Sequence, residues 1–180
     1  MGNSAIVDLS FFRRDVLRVA PELVGKIIAR DFGSGLVKRY RITEVEAYRG
    51  EEDLACHASK GRTARTEVMY HHGGKVYVYL IYGMYWMLNI VTGEEGCPSA
   101  VLIRGIEEVV GPEKVGRELG IDRSFYGRLL EPESLLWIEE DGCRCEVVST
   151  PRIGVAYAGP FWANKPWRFV DKDHFTKFKS

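Results

Sequence analysis

The sequence predicts an α+β fold in one domain spanning residues 1–180. Three β-type segments between Lys75 and Ile106 follow one another through tight turns, and helical patterning is confined to segments near Ser10 and Gly111. Strands joined by such short turns run antiparallel, and helices segregated from them mark the α+β class. A length of 180 residues suits one hydrophobic core. No repeat, low-complexity run or linker divides the chain.

In chain order, Ser10 is placed to cap a first helix running to about Ala20, with Phe11, Phe12, Val16, Leu17 and Val19 as its apolar face and Pro21 as its stop. Lys26 to Asp31 reads as a strand, Phe32-Gly33-Ser34-Gly35 as a turn and Leu36 to Tyr48 as the returning strand of a hairpin. Arg49 to Thr66 forms a polar loop, long enough to suspect a function. Lys75 to Tyr82 is the clearest strand, rich in aromatic and β-branched residues. Gly83-Met84 connects it to Tyr85–Thr92, and Gly93 to Gly96 leads into Ser99–Ile106, which completes a meander. Gly111-Pro112 opens a short helix through Leu119, Leu135–Glu139 and Glu146–Ser149 read as strands, and the remainder is irregular and aromatic.

Hydrophobic residues make up 46% of the chain, aromatic ones 12% and charged ones 28%, which suits a packed core and excludes a disordered chain. Lys plus Arg and Asp plus Glu number 25 each, for a formal net charge of +0. That total argues against nucleic acid, but it hides an asymmetry. Residues 54–92 set Lys60, Arg62, Arg65 and Lys75 against Glu67 alone, whereas the acidic excess falls within residues 107–146. Four cysteines are too few for a disulfide scaffold. Cys143-x-Cys145 lacks zinc-site spacing, adjacent His71 and His72 are poorly placed to chelate, and no phosphate-cradling glycine motif occurs, so no metal and no cofactor is expected. Met1 to Asp8 has no secretory pattern, and no run approaches the roughly 20 apolar residues of a membrane span. The expected location is cytoplasmic, or nuclear in a eukaryote.

Candidate chemistry centres on Glu44-Val45-Glu46-Ala47-Tyr48. On a strand Glu46 and Tyr48 share one face, setting a carboxylate beside an aromatic ring as a general base below a stacked planar ligand would require; the competing reading is a solvated hairpin face. Tyr77, Tyr79, Tyr82, Tyr85 and Trp86 crowd one hairpin. Such clusters usually form core, yet Tyr82 adjoins Gly83 at the tip, where a core residue is out of place. Lys60, Arg62 and Arg65 are surface charges or a phosphate grip. Asn89 and Arg104 interrupt apolar strands and need partners, while His57 sits in the polar loop, where a lone histidine is ordinarily exposed.

Arg41-Ile42-Thr43-Glu44-Val45-Glu46-Ala47-Tyr48, Asp53-x-x-x-His57-x-x-x-Gly61-Arg62-Thr63, Tyr77-Val78-Tyr79-x-x-Tyr82-Gly83-Met84-Tyr85, Asn89-Ile90 and Val101-Leu102-Ile103-Arg104, taken in order, closely resemble the alkyladenine (3-methyladenine) DNA glycosylase family. Leu119-Gly120-Ile121-Asp122, Leu136-Trp137-Ile138, Pro151-Arg152-Ile153-Gly154-Val155 and Lys165-Pro166-Trp167-Arg168-Phe169 continue the match over nearly the whole chain.

The resemblance implies a monomeric α+β domain, with a curved antiparallel sheet flanked by short helices. Its β-hairpin inserts into double-stranded DNA while a damaged purine flips into a pocket. By position, Glu46 is the general base that activates water and Arg104 helps to hold that water. Tyr48, Tyr79 and His57 enclose the base, Asn89 guards the pocket floor against the amine of normal guanine, and Tyr82 fills the gap in the duplex. Lys60, Arg62 and Arg65 grip phosphate. The implied activity is monofunctional hydrolysis of the N-glycosidic bond of alkylated or deaminated purines, which initiates base excision repair without metal or cofactor. A non-catalytic nucleic-acid-binding module and a free-nucleoside hydrolase are the competing readings.

Three departures from the family pattern stand out. Ala64 and Gly73-Gly74 replace prolines, which implies looser DNA-facing loops, and the segment between Arg104 and Gly111 is short and lacks a basic stretch.

Overall fold

The computed structural model describes residues 4–177. Its strands are β1 (Ala5–Ile6), β2 (Ile27–Asp31), β3 (Val37–Arg49), β4 (Val76–Ile81), β5 (Tyr85–Thr92), β6 (Ser99–Ile106), β7 (Val109–Val110), β8 (Leu136–Glu140), β9 (Val147–Thr150) and β10 (Arg168–Asp171). The helices are α1 (Val16–Leu23), α2 (Pro112–Glu118), α3 (Pro160–Ala163) and α4 (Lys172–Lys177). The strands order as β1-β8-β2-β3-β6-β5-β4 with antiparallel pairing throughout, so the architecture is α+β.

The expected first helix is divided. Asp8 caps a 3-10 turn over Leu9–Arg13, the chain turns extended at Arg14, and Asp15 then accepts from the Leu17 amide to cap α1. Pro21 lies inside α1 instead of ending it. An interior proline costs about 3 kcal/mol, but Val16, Val19 and Leu23 are all fully buried and return about 1.5–3 kcal/mol each, so packing wins over propensity. The meander occupies its expected segments, with β6 at Ser99–Ile106.

The supposedly irregular C-terminal tail contains β10, which corrects the sequence reading at a consequential place. β10 pairs with β3 over Glu44–Glu46 while β6 pairs with the other edge, aligning Arg168 and Leu102 with Glu46. Both edges of β3 are therefore hydrogen-bonded at the carboxylate-bearing segment, which fixes its backbone.

The two faces of the β3–β6–β5–β4 sheet have separate duties. Val45, Ala47, Val76, Val78, Leu88, Ile90, Val101 and Ile103 join α1 and α2 in the main core. On the other face, Tyr77, Val91 and Ala100 pack with Cys56 from the long loop and with Val68 and Met69 from the 3-10 turn Glu67–Tyr70 that follows it. α2, in which Glu113 and Glu118 are matched by Lys114 and Arg117, thus lies across the sheet from Tyr48 and Tyr77. Gly73 and Gly74 are buried, contrary to their expected place in a loose DNA-facing loop. A Cβ on Gly73 would meet the Phe12 carbonyl oxygen at 2.0 Å, and the Gly73 amide donates to Gly93, so neither alanine nor proline fits.

Candidate active site

Register across the sheet builds the site. Glu46 aligns with Leu102, Leu102 with Asn89, and Asn89 with Tyr77, so Glu46, Asn89 and Tyr77 fall in one row on one face; Tyr48, Ala100 and Val91 form the next. Glu46 is fully buried, which removes the solvated-face alternative. Tyr48 Oη donates to Glu46 Oε2 at 2.6 Å and the Ile153 amide donates to Oε1 at 2.7 Å.

Arg104 reaches this carboxylate through a shift in register. The β3–β6 alignment passes from Glu44–Gly105 to Val45–Ile103, leaving Arg104 as the additional residue of a bulge, a device that redirects a side chain. Its Nε lies 3.1 Å from Glu44 Oε1 and 3.6 Å from Glu46 Oε1. Arg168 Nε also donates to Glu44 Oε1 at 2.5 Å, so Glu44 takes most of the cationic attention. Burial pushes the Glu46 carboxyl above the usual carboxylate range, and the opposing pulls of Arg104, Tyr48 and the Ile153 amide do not overcome it. Burial and neighbouring Glu46 likewise raise the Tyr48 phenol well above its ordinary value, so it remains a hydrogen-bond donor.

Tyr48, His57, Tyr77, Tyr79, Asn89 and Tyr157 line a cavity of about 40 Å³. It has room for water but is tight for a planar bicyclic base. Tyr48 stands between this space and Glu46. His57 is half-buried instead of exposed: its Nδ1 lies 2.9 Å from Tyr77 Oη and its ring meets Tyr79 edge-on at 4.5 Å between centroids. Burial, reinforced by Arg65, lowers the imidazole to about 4 and keeps it neutral at physiological pH. Asn89 donates to the Tyr77 and Met87 carbonyls at 3.2 and 3.4 Å.

Tyr82 stands at the β4–β5 tip, 86% exposed. Its φ of 50° and the 67° of Gly83 place both residues in the left-handed region, and the Met84 amide closes the turn onto the Ile81 carbonyl. A tyrosine there carries about 1–2 kcal/mol of backbone cost, and Met84 beside it is also exposed.

The loop cations divide. Lys60 and Arg65 line a hollow of about 230 Å³ that shares Ala55, Cys56, His57 and Tyr157 with the tyrosine cavity. Arg62 instead forms a fork with Glu67 at 2.6 and 2.8 Å.

Several contributors lay outside the sequence-based site. Tyr77 positions His57, the Ile153 main-chain amide holds Glu46, and Tyr157 borders both hollows while its hydroxyl donates to the Ala55 carbonyl at 3.0 Å. Beneath Tyr48, Arg152 forms a fully buried fork with Asp53 at 2.6 and 2.9 Å. Tyr77 was visible as an aromatic in the hairpin, whereas a main-chain donor has no side-chain signature.

The Methylpurine-DNA glycosylase (MPG) family model matches residues 10–111 and 107–175. The two matches meet where the β6–β7 turn is short. A protein named "Putative 3-methyladenine DNA glycosylase" from Psychrobacter cryohalolentis is 42% identical, covering 95% of this chain and 94% of its own. Proteins of the same name from Methanocella arvoryzae, at 42% identity over 93% of each chain, and Legionella pneumophila strain Corby, at 43% over 91% of this chain and 93% of its own, are similar to the same extent. Because matches of this depth cover the β3 carboxylates, the tyrosine hairpin and the C-terminal strand alike, the chain belongs to the methylpurine-DNA glycosylase family and is a DNA glycosylase.

Proposed function

We propose that this protein acts as a monomer on double-stranded DNA in the cytoplasm, flips out an alkylated or deaminated purine and hydrolyses its N-glycosidic bond with a water activated by Glu46. The observation that carries the reading is the buried Glu46 carboxylate, hydrogen-bonded to Tyr48 at the wall of a tyrosine-lined cavity.

The extruded base stacks between Tyr48 and Tyr79, with neutral His57 at its edge and Asn89 at the floor. Stacking returns about 1–3 kcal/mol per base, comparable with the few kcal/mol needed to flip it. Entry of the ring draws the Tyr48 hydroxyl away from Oε2 and frees that oxygen for water. As the C1′–N bond breaks, its electron pair leaves with the base; water oxygen bonds to C1′ and Glu46 takes a water proton. Glu46 also faces the positive charge that develops on the sugar, and Arg104 helps to orient the water.

Release of hypoxanthine, 3-methyladenine, 7-methylguanine and ethenoadenine from duplex and single-stranded substrates tests the reaction and ranks the bases. No release of any of them from duplex DNA would defeat the proposal.

Tyr82→Ala should weaken duplex processing about tenfold while changing single-strand processing far less, since only a duplex has a gap to fill. Equal losses on both substrates would count against the wedge role. Arg65→Gln should reduce the log–log salt dependence of binding by about one unit, the contribution of one phosphate contact. Arg62→Gln should change it less, because Glu67 already occupies that guanidinium. Equal slope changes for the two variants would show that the Arg62–Glu67 fork opens on DNA.

A further inference from the structure

Tyr48 and Tyr79, the two rings of the proposed base sandwich, each have a guanidinium near one ring face, but the two cations are differently compensated. Arg152 lies 4.8 Å from the Tyr48 ring centroid and 5.1 Å from that of Trp167, with Asp53 matching its charge. Arg65 lies 5.1 Å from the Tyr79 centroid, is exposed, and makes no ion pair among the described residues. Its backbone is anchored: Tyr126 Oη donates toward the Arg65 and Ala64 carbonyls at 3.0 and 3.2 Å and accepts from the Val68 amide at 3.3 Å. The Tyr126 ring in turn meets Tyr77 edge-on, with 6.3 Å between centroids. Ala64 therefore belongs to a tethered segment despite the absence of proline.

A tyrosine face attracts a cation through its quadrupole. A guanidinium already over Tyr79 uses that attraction and repels a second positive charge brought to the slot, whereas a neutral base meets no such repulsion. The planar guanidinium can stack by its face and still direct edge N–H groups to phosphate.

We propose that Arg65 is a specificity-determining residue that biases the slot toward neutral damaged purines and against cationic N-alkylated purines. The inference rests on the base-sandwich reading above.

The test compares single-turnover kcat/KM for otherwise identical duplexes containing 7-methylguanine, which is cationic, or hypoxanthine, which is neutral. Wild type, Arg65→Gln and Arg65→Lys are measured on both. Taking the ratio cancels any loss of phosphate binding common to the two substrates. Arg65→Gln should raise the 7-methylguanine to hypoxanthine ratio about fivefold, the scale of a single cation–π contact, while Arg65→Lys keeps it nearer wild type. A ratio that stays constant or falls in Arg65→Gln overturns the inference and leaves Arg65 as a phosphate contact alone. Where wild type releases neither of these, 3-methyladenine and ethenoadenine supply the cationic and neutral pair for the ratio, and release of none of the four overturns the underlying function as well, so the two failures are distinguishable.

Discussion

Glu46→Gln should lower base release by about 10²–10⁴-fold, the range associated with loss of a positioned general base, while the protein stays folded and melts at the same temperature or a few degrees higher. The two effects have one origin. Burial raises the folded-state pKa of Glu46. A carboxyl shifted in that direction contributes stability below its unfolded-state pKa, and the contribution is lost as pH rises through the folded-state value. At neutral pH the ionised group therefore costs stability. Glutamine keeps the shape, can still accept from the Ile153 amide and carries no buried charge. The same shift places the acid limb of wild-type activity above the ordinary carboxylate range, with activity rising as pH increases through it. Base-release kinetics across pH, paired with thermal melts, check both expectations. Undiminished release would remove Glu46 from the general-base role, and a large fall in melting temperature would make its main contribution structural.

The second large effect concerns stability. Arg152→Met should cost about 3–5 kcal/mol because Asp53, fully buried, loses the guanidinium that matches its charge. For a chain of this size that corresponds to a fall of roughly 6–20 °C in melting temperature. The Arg49 and Ala55 amides remain as donors to Asp53 but supply no full positive charge. Adding Asp53→Asn should recover part of the loss by removing the unpaired buried charge, so the double variant is more stable than Arg152→Met alone. Urea denaturation of the two single variants and the double variant measures the coupling. A loss below about 1 kcal/mol in Arg152→Met would show that the pair contributes little to folding.

The residues that were readable from sequence have local physical signatures. A two-residue period places Glu46 and Tyr48 on one face of a strand wherever the sheet is built, and glycine beside Tyr82 marks a tip. Dense β-branched and aromatic residues mark the meander. The missing information is long-range. Arg168–Asp171 is four residues long and half charged, too short to show a period, and becomes a strand because β3 and β9 offer it edges. Arg152 and Asp53 look like solvent-facing loop charges until tertiary contact removes water from both. Pro21 is a stop by propensity and an interior helical residue by packing. His57 owes its half-buried setting to Tyr77 and Tyr79, which lie on a separate strand.

β10 and the Ile153 segment also impose an order on synthesis. Glu44 and Glu46 leave the ribosome early, but the Ile153 amide that holds Glu46 follows 107 residues later, and the Arg168 that pairs with Glu44 follows 124 residues later. A nascent chain can complete the β4–β5–β6 meander while its carboxylates still lack these partners. A segment translated long after the carboxylates is therefore what turns a folded sheet into an assembled site, and a chain cut short before β10 carries the acids without the frame that holds them.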